Sequence, residues 1–161
     1  MKKTIFYLSI FAAFTLLGAC KDDDGLPGAD AGGGMMSATV DGLSWQSKNE
    51  DGGAVYAESQ GGHVLQAWAD DNSYISMTVF GAPSGGSSFV SSNGGVSAQY
   101  KPDFDLVDAY IASGALGAAT VTFTTFSESK VKGTFTITGV LITASGQQEV
   151  QITNGSFEFD L

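Results

Sequence analysis

The chain has no arginine, one cysteine, one histidine and three prolines in 161 residues. Without arginine there is no guanidinium fork to grip phosphate or carboxylate in a bidentate way. Seven lysines stand against 17 acids, a formal net charge of −10. That balance excludes nucleic acid, whose binding needs clustered cations, and disfavours docking on anionic lipid head groups. The lone histidine, His63 in Gln60-Gly61-Gly62-His63, falls short of a zinc site, which prefers several His or Cys ligands. Any Ser-His-Asp triad would have to use it, and it reads as a solvent-exposed turn histidine. Serines are plentiful, yet no G-x-S-x-G elbow occurs; Gly81-Ala82-Pro83-Ser84-Gly85 has the wrong spacing and reads as a turn. Phosphate loops and dinucleotide fingerprints are missing too, so no cofactor is expected. No repeat of about 20–50 residues appears, which argues against solenoids and propellers.

What is present first is a targeting segment. Lys2 and Lys3 form a positive start, Ile5 to Leu17 an apolar run, and Gly18-Ala19 a pair of small residues before Cys20. This order is that of a secretory signal, and the run falls short of the ~20 residues a membrane-crossing helix needs. Leu17-Gly18-Ala19-Cys20 resembles the lipobox of bacterial lipoproteins. The resemblance implies cleavage before Cys20, a diacylglycerol on its thiol and an acylated new amino terminus; an ordinary cleaved signal with an incidental cysteine is the alternative. Lipidation of Cys20 leaves no thiol for disulfides, metals or nucleophilic catalysis. Several acyl chains, at ~0.8 kcal/mol per buried methylene, make such an anchor close to permanent. Removal of residues 1–19 takes away Lys2 and Lys3 and no acid, so the remainder is more acidic still.

Residues 20–35 read as a lipidated cysteine and a disordered acidic, glycine-rich tether, with Asp22-Asp23-Asp24, Pro27 and Gly32-Gly33-Gly34 and little to bury. Lys21-Asp22-Asp23-Asp24, directly behind Cys20, resembles the export signal that sends Bacteroidota lipoproteins to the outer face of the outer membrane. The alternative is a solvated charge run in a linker.

Residues 36–161 read as one all-β domain: an antiparallel β-sandwich or flattened barrel of about 8–11 strands. Threonine, valine, phenylalanine and glycine dominate, and no Lys/Glu-rich helical stretch occurs. Strict alternation marks Met36-Ala38-Val40, Ile75-Met77-Val79, Val96-Ala98-Tyr100 and Val121-Phe123 as inward-facing sets. Val131, Gly133, Phe135, Ile137 and Gly139 alternate with Lys130, Lys132, Thr134, Thr136 and Thr138. Weaker strands are expected at 44–48, 54–59 and 64–69, with hairpin turns at Asp70-Asp71-Asn72 and Ser127-Glu128-Ser129. Near the end the apolar face changes parity, from Val150 and Ile152 to Phe157, Phe159 and Leu161. An inserted residue at Asn154-Gly155, a β-bulge, keeps both sets buried; a tight hairpin there is the alternative. Between Phe104 and Ile111 a single helical turn is expected, with Asp103 or Asp105 as N-cap.

Ala38-x-Val40-Asp41-Gly42-x-x-Trp45 resembles the opening of small Bacteroidota surface lipoproteins of unknown function. Gly133-Thr134-Phe135 and Val150-x-Ile152-Thr153-Asn154-Gly155-x-Phe157 resemble their closing strands. The resemblance implies the antiparallel β fold and no catalytic residues.

Trp45 reads as core. Trp68 and Tyr74, flanking Asp70-Asp71-Asn72, are the ligand-binding candidates, because aromatic rings on a β face stack on sugar rings. Asp103, Asp105 and Asp108 are a weak Ca²⁺ candidate; counted from Asp103, an EF-hand would need glycine where Asp108 stands and glutamate where Gly114 stands. The expectation is a non-enzymatic, outward-facing outer-membrane lipoprotein held in the bilayer by acylated Cys20, with a glycan or protein partner. A lipocalin-like carrier, a structural envelope protein and a hydrolase are the alternatives. The carrier needs an interior not filled by Phe123, Phe135 and Ile137.

Overall fold

The computed structural model describes residues 32–48, 53–59, 61–105 and 108–161. Eleven strands run through them: β1 Gly32–Val40, β2 Leu43–Gln46, β3 Ala54–Ser59, β4 Gly62–Trp68, β5 Tyr74–Val79, β6 Ser88–Val90, β7 Val96–Lys101, β8 Tyr110–Ala112, β9 Ala118–Ser127, β10 Lys130–Thr143 and β11 Gly146–Asp160. Every pairing is antiparallel. The order β11-β1-β3-β4-β5-β7-β8-β10 closes on itself through the pairing of β10 with β11.

Two strands make the closure by changing partners along their length. β1 pairs with β3 at Gly32 and Gly33, then with β2 from Ser37 to Val40. β10 pairs with β9 from Lys130 to Thr138, then meets β8 at Val140. β2, β9 and β6 lie outside the closed path, β9 as an extra strand on β10 and β6 on β9. Closure leaves short edges only, which protects a sheet from pairing with other chains.

The alternating sets face inward as their spacing predicts: Met36, Ile75, Met77, Val79, Val121, Phe123, Phe135 and Ile137 all belong to one buried cluster. Phe123 packs edge-on against Phe157, ring centroids 5.6 Å apart. Side chains of Phe123, Phe135 and Ile137 thus stand where a lipocalin-like carrier would need its cavity. Trp45 is in the same cluster, as expected.

The bulge is present and the hairpin is not. Phe135 faces Gly155 while Ile137 faces Ile152, so between these pairs one residue of β10, Thr136, opposes two of β11, Thr153 and Asn154. β1 skips the same residue, with Ser37 opposite Ser156 and Thr39 opposite Thr153. Asn154 takes the left-handed conformation at φ +53°, which Asn tolerates better than most residues. Gly155 follows because a Cβ there would lie 2.5 Å from the Phe135 carbonyl oxygen and 2.6 Å from its ring.

Three expectations need correction. The domain begins earlier than Met36: Gly32–Met35 are in β1 and not in the tether. Gly34 can join the sheet because it has no Cβ, which would lie 2.4 Å from the Glu158 carbonyl oxygen. The helical turn over 104–111 is absent among the described residues there, and Tyr110 and Ile111 belong to β8. His63 is not an exposed turn residue. It is 7% exposed on β4, its Nδ1 2.7 Å from the Tyr56 hydroxyl, with Phe126 edge-on at 5.4 Å. Burial pushes the Tyr56 phenol up to about 12, so it stays protonated and can donate to Nδ1. The strand register that brings Glu58 opposite His63 also places these two rings side by side.

Candidate functional site

The β4–β5 hairpin ends in a turn fixed by several hydrogen bonds. Its turn is closed by Ala69 N donating to the Ser73 carbonyl at 2.9 Å and Asn72 N donating to the Ala69 carbonyl at 3.1 Å. Asp71 Oδ1 accepts both the backbone N and the hydroxyl of Ser73, and these bonds hold its carboxyl below the usual carboxylate range. Ser73 Oγ in turn accepts from Trp45 Nε1 at 2.7 Å. A core tryptophan therefore braces the turn from inside.

The segment after β7 is docked onto the same turn. Phe104 N donates to the Asn72 carbonyl at 2.8 Å, and Asn72 Nδ2 donates to Asp103 Oδ1 at 2.7 Å. Asp103 Oδ1 also accepts from Asp105 N at 3.1 Å, a local turn where an N-cap was expected. Lys101 Nζ lies 5.3 Å from the Phe104 ring centroid and donates to its carbonyl at 3.3 Å.

These bonds gather three rings on the outer face. Trp68 and Tyr74 are direct cross-strand partners with centroids 5.0 Å apart. Phe104 stands edge-on to both, at 6.3 Å from Trp68 and 5.3 Å from Tyr74. Tyr74 is the buried member at 4% exposure, Trp68 is half-buried, and Phe104 is 43% exposed. Burial also raises the Tyr74 phenol above its ordinary value. Of the two sequence candidates, Trp68 is presented to solvent and Tyr74 is the floor beneath it.

Tyr74 is also one end of a groove of about 250 Å³ along the outer face of β4, β5 and β7. Gln66, Ser76, Thr78, Ser97 and Gln99 line it, with Ile111 as its apolar flank. Two other outer grooves, one lined by threonines beside the bulge and one beside Met35, contain only buried rings, Phe135 and Phe157.

Asp103 and Asp105 both lie within reach of the Asn72 amide, at 2.7 and 3.4 Å. Among the described residues no three His, Cys, Asp or Glu side chains are grouped to hold a metal, so Asp108 does not complete a site with them. Their visible work is to fix Phe104. Cys20 and Lys21-Asp22-Asp23-Asp24 lie outside the described residues. Sequence reasoning missed Phe104; the signal available was an apolar ring between two acids in Pro102-Asp103-Phe104-Asp105, outside any alternating run.

Comparison with protein-family models, with curated proteins and with solved structures finds no match to this chain.

Proposed function

We propose that the protein is a lipoprotein of the outer membrane, anchored through acylated Cys20 and facing the cell exterior, that binds a glycan without transforming it. The observation that carries the binding reading is the presented ring pair Trp68 and Phe104 over a buried Tyr74, held rigid by bonds to Asn72, Asp103 and Lys101. Exposed aromatic side chains on a rigid β scaffold stack on the apolar faces of pyranose rings. The loop's hydrogen bonds fix the rings in advance and so reduce the entropy lost on binding. Anchorage rests on the signal and lipobox, residues Lys2 to Cys20, and the outward address on Lys21-Asp22-Asp23-Asp24.

Strand direction supports outward presentation. β1 enters the sheet at Gly32 and runs antiparallel to β3, hence in the same direction as β4. The strand that follows the anchor segment thus points toward the pole where the 70–72 turn and Phe104 lie. Eleven residues separate Cys20 from Gly32, at most roughly 40 Å of extended chain.

The test uses intact cells. Fluorescent oligosaccharides from the cell's growth substrates should label cells carrying the wild type and not cells carrying Trp68→Ala at equal surface level. Added protease should remove the protein from wild-type cells, and replacing Asp22, Asp23 and Asp24 by alanine should protect it while it stays in the membrane fraction. Labelling unaffected by Trp68→Ala would refute the binding reading; protection of the wild type would refute the outward address.

A further inference from the structure

We infer that the ligand is an uncharged oligosaccharide of several units, laid along the β4–β5–β7 face from Trp68 toward Thr78, and this rests on the glycan reading above. Three observations carry it. The first is continuity. Tyr74 is in ring contact with Trp68 and Phe104 and also forms one end of the groove, so rings and groove make one surface. From Tyr74 to Thr78 the strand rises ~13 Å, longer than one sugar ring and suited to a short chain.

The second observation is the chemistry of the lining. In a chain with 17 acids, the groove is lined by hydroxyls and carboxamides, and the one titratable side chain among them is Tyr74, whose phenol burial keeps protonated. Gln66 Nε2 and Ser76 Oγ face each other at 3.4 Å across β4 and β5. Gln99, Thr78 and Ser97 make no side-chain hydrogen bond within the described residues, which leaves a carboxamide and two hydroxyls for a ligand. Carboxamides offer donors and acceptors side by side, which matches the paired hydroxyls of a sugar. The third observation is the surrounding charge. Asp70, Asp71, Asp103 and Asp105 stand at the Trp68 end and outweigh the charge of Lys101, which lies against Phe104 and opposite Tyr74. A uronate or sulfated chain would meet like charge there, whereas a neutral chain would not.

The experiment uses the full-length acylated protein in detergent micelles. Its probes are neutral gluco-, manno- and xylo-oligosaccharides of one to six units, and oligogalacturonates of the same lengths. Affinity should rise with length over the first few neutral units and then level off, and oligogalacturonates should bind at least tenfold more weakly. Gln99→Ala should weaken the longer neutral chains about five- to tenfold, the scale of one or two lost hydrogen bonds, and leave the shortest bound species unchanged. Gln99→Glu, which keeps the shape and adds charge, should do the same; thermal melting of each variant checks that the domain is intact. Equal or tighter binding of oligogalacturonates, or length-independent affinity lost with Trp68→Ala, would overturn this inference and leave glycan binding standing. Absence of binding to every sugar would overturn both.

Discussion

At the scale of residues, the two tryptophans divide the work. Trp45 is 6% exposed and spends its indole N–H on Ser73, so it fixes the turn from the core. Trp68, two strands away and half-buried, spends its rings on Tyr74, Phe104 and solvent. Trp45→Phe is therefore expected to lower the melting temperature, because Ser73 loses its buried donor. Trp68→Ala is expected to change stability less and to weaken oligosaccharide binding about 30-fold or more, as loss of an aromatic hot spot does. Calorimetry and titration on the same preparations check both. The Tyr56–His63 pair makes a different prediction. The Tyr56 phenol is raised from 10.0 to about 12, first by burial and then by the nearby Glu58 charge. A raised value means the folded state holds the proton more tightly, so its contribution is complete below pH 10 and is lost as pH rises toward 12. Melting temperature should fall over that window in the wild type, and less steeply in Tyr56→Phe. At neutral pH Tyr56→Phe should itself cost about 1–3 kcal/mol, since the buried His63 Nδ1 loses its partner.

At the scale of elements, the inserted residue in β11 shows how much a parity change in sequence can say. Val150 and Ile152 are buried, and so are Phe157 and Phe159; only one extra residue between them allows both. Gly155→Ala should destabilise by at least about 2 kcal/mol, because the new methyl meets the Phe135 carbonyl and ring. Asn154→Gly should be nearly neutral, since φ +53° suits glycine. Denaturant midpoints of the two variants distinguish the bulge from a mere loop. Strands of this kind are legible because a period of two over a buried face is a local signal. The turn after β7 was not, because what fixes it is not local. Asp103 reads as a cap until Asn72, 31 positions earlier in the chain, supplies the amide that it accepts. The burial of His63 is not legible for the same reason: glycines at 61 and 62 suggest a turn, and Phe126, which packs edge-on against the ring, lies far along the chain. Trp68 and Tyr74 were nameable as rings beside a turn, but which of them faces solvent was decided by Phe104 lying over the buried one.

At the scale of the whole molecule, closure of the sheet decides what is rigid. β10 and β11 pair along almost their full lengths, from Lys130–Asp160 to Thr143–Gly146, while β2, β6 and β9 sit outside the closed path. Backbone amides of β10 and β11 around Val131, Gly133 and Phe157 should exchange with solvent slowest, and those of β6 among the fastest in the sheet. Hydrogen-exchange mass spectrometry reads this directly. The candidate site belongs to the rigid part, since β4, β5 and β7 are consecutive members of the closed path, and a rigid scaffold is what stacked rings require. Where a bound sugar would lie decides between the ring-lined face and the other grooves. Hydroxyl-radical footprinting of the protein, with and without a saturating neutral oligosaccharide, measures this. Protection confined to Trp68, Phe104 and the groove flank at Ile111 is the predicted result. Protection of Met35 or of the threonine-lined groove instead, with Trp68 and Phe104 equally oxidised in both samples, would contradict it.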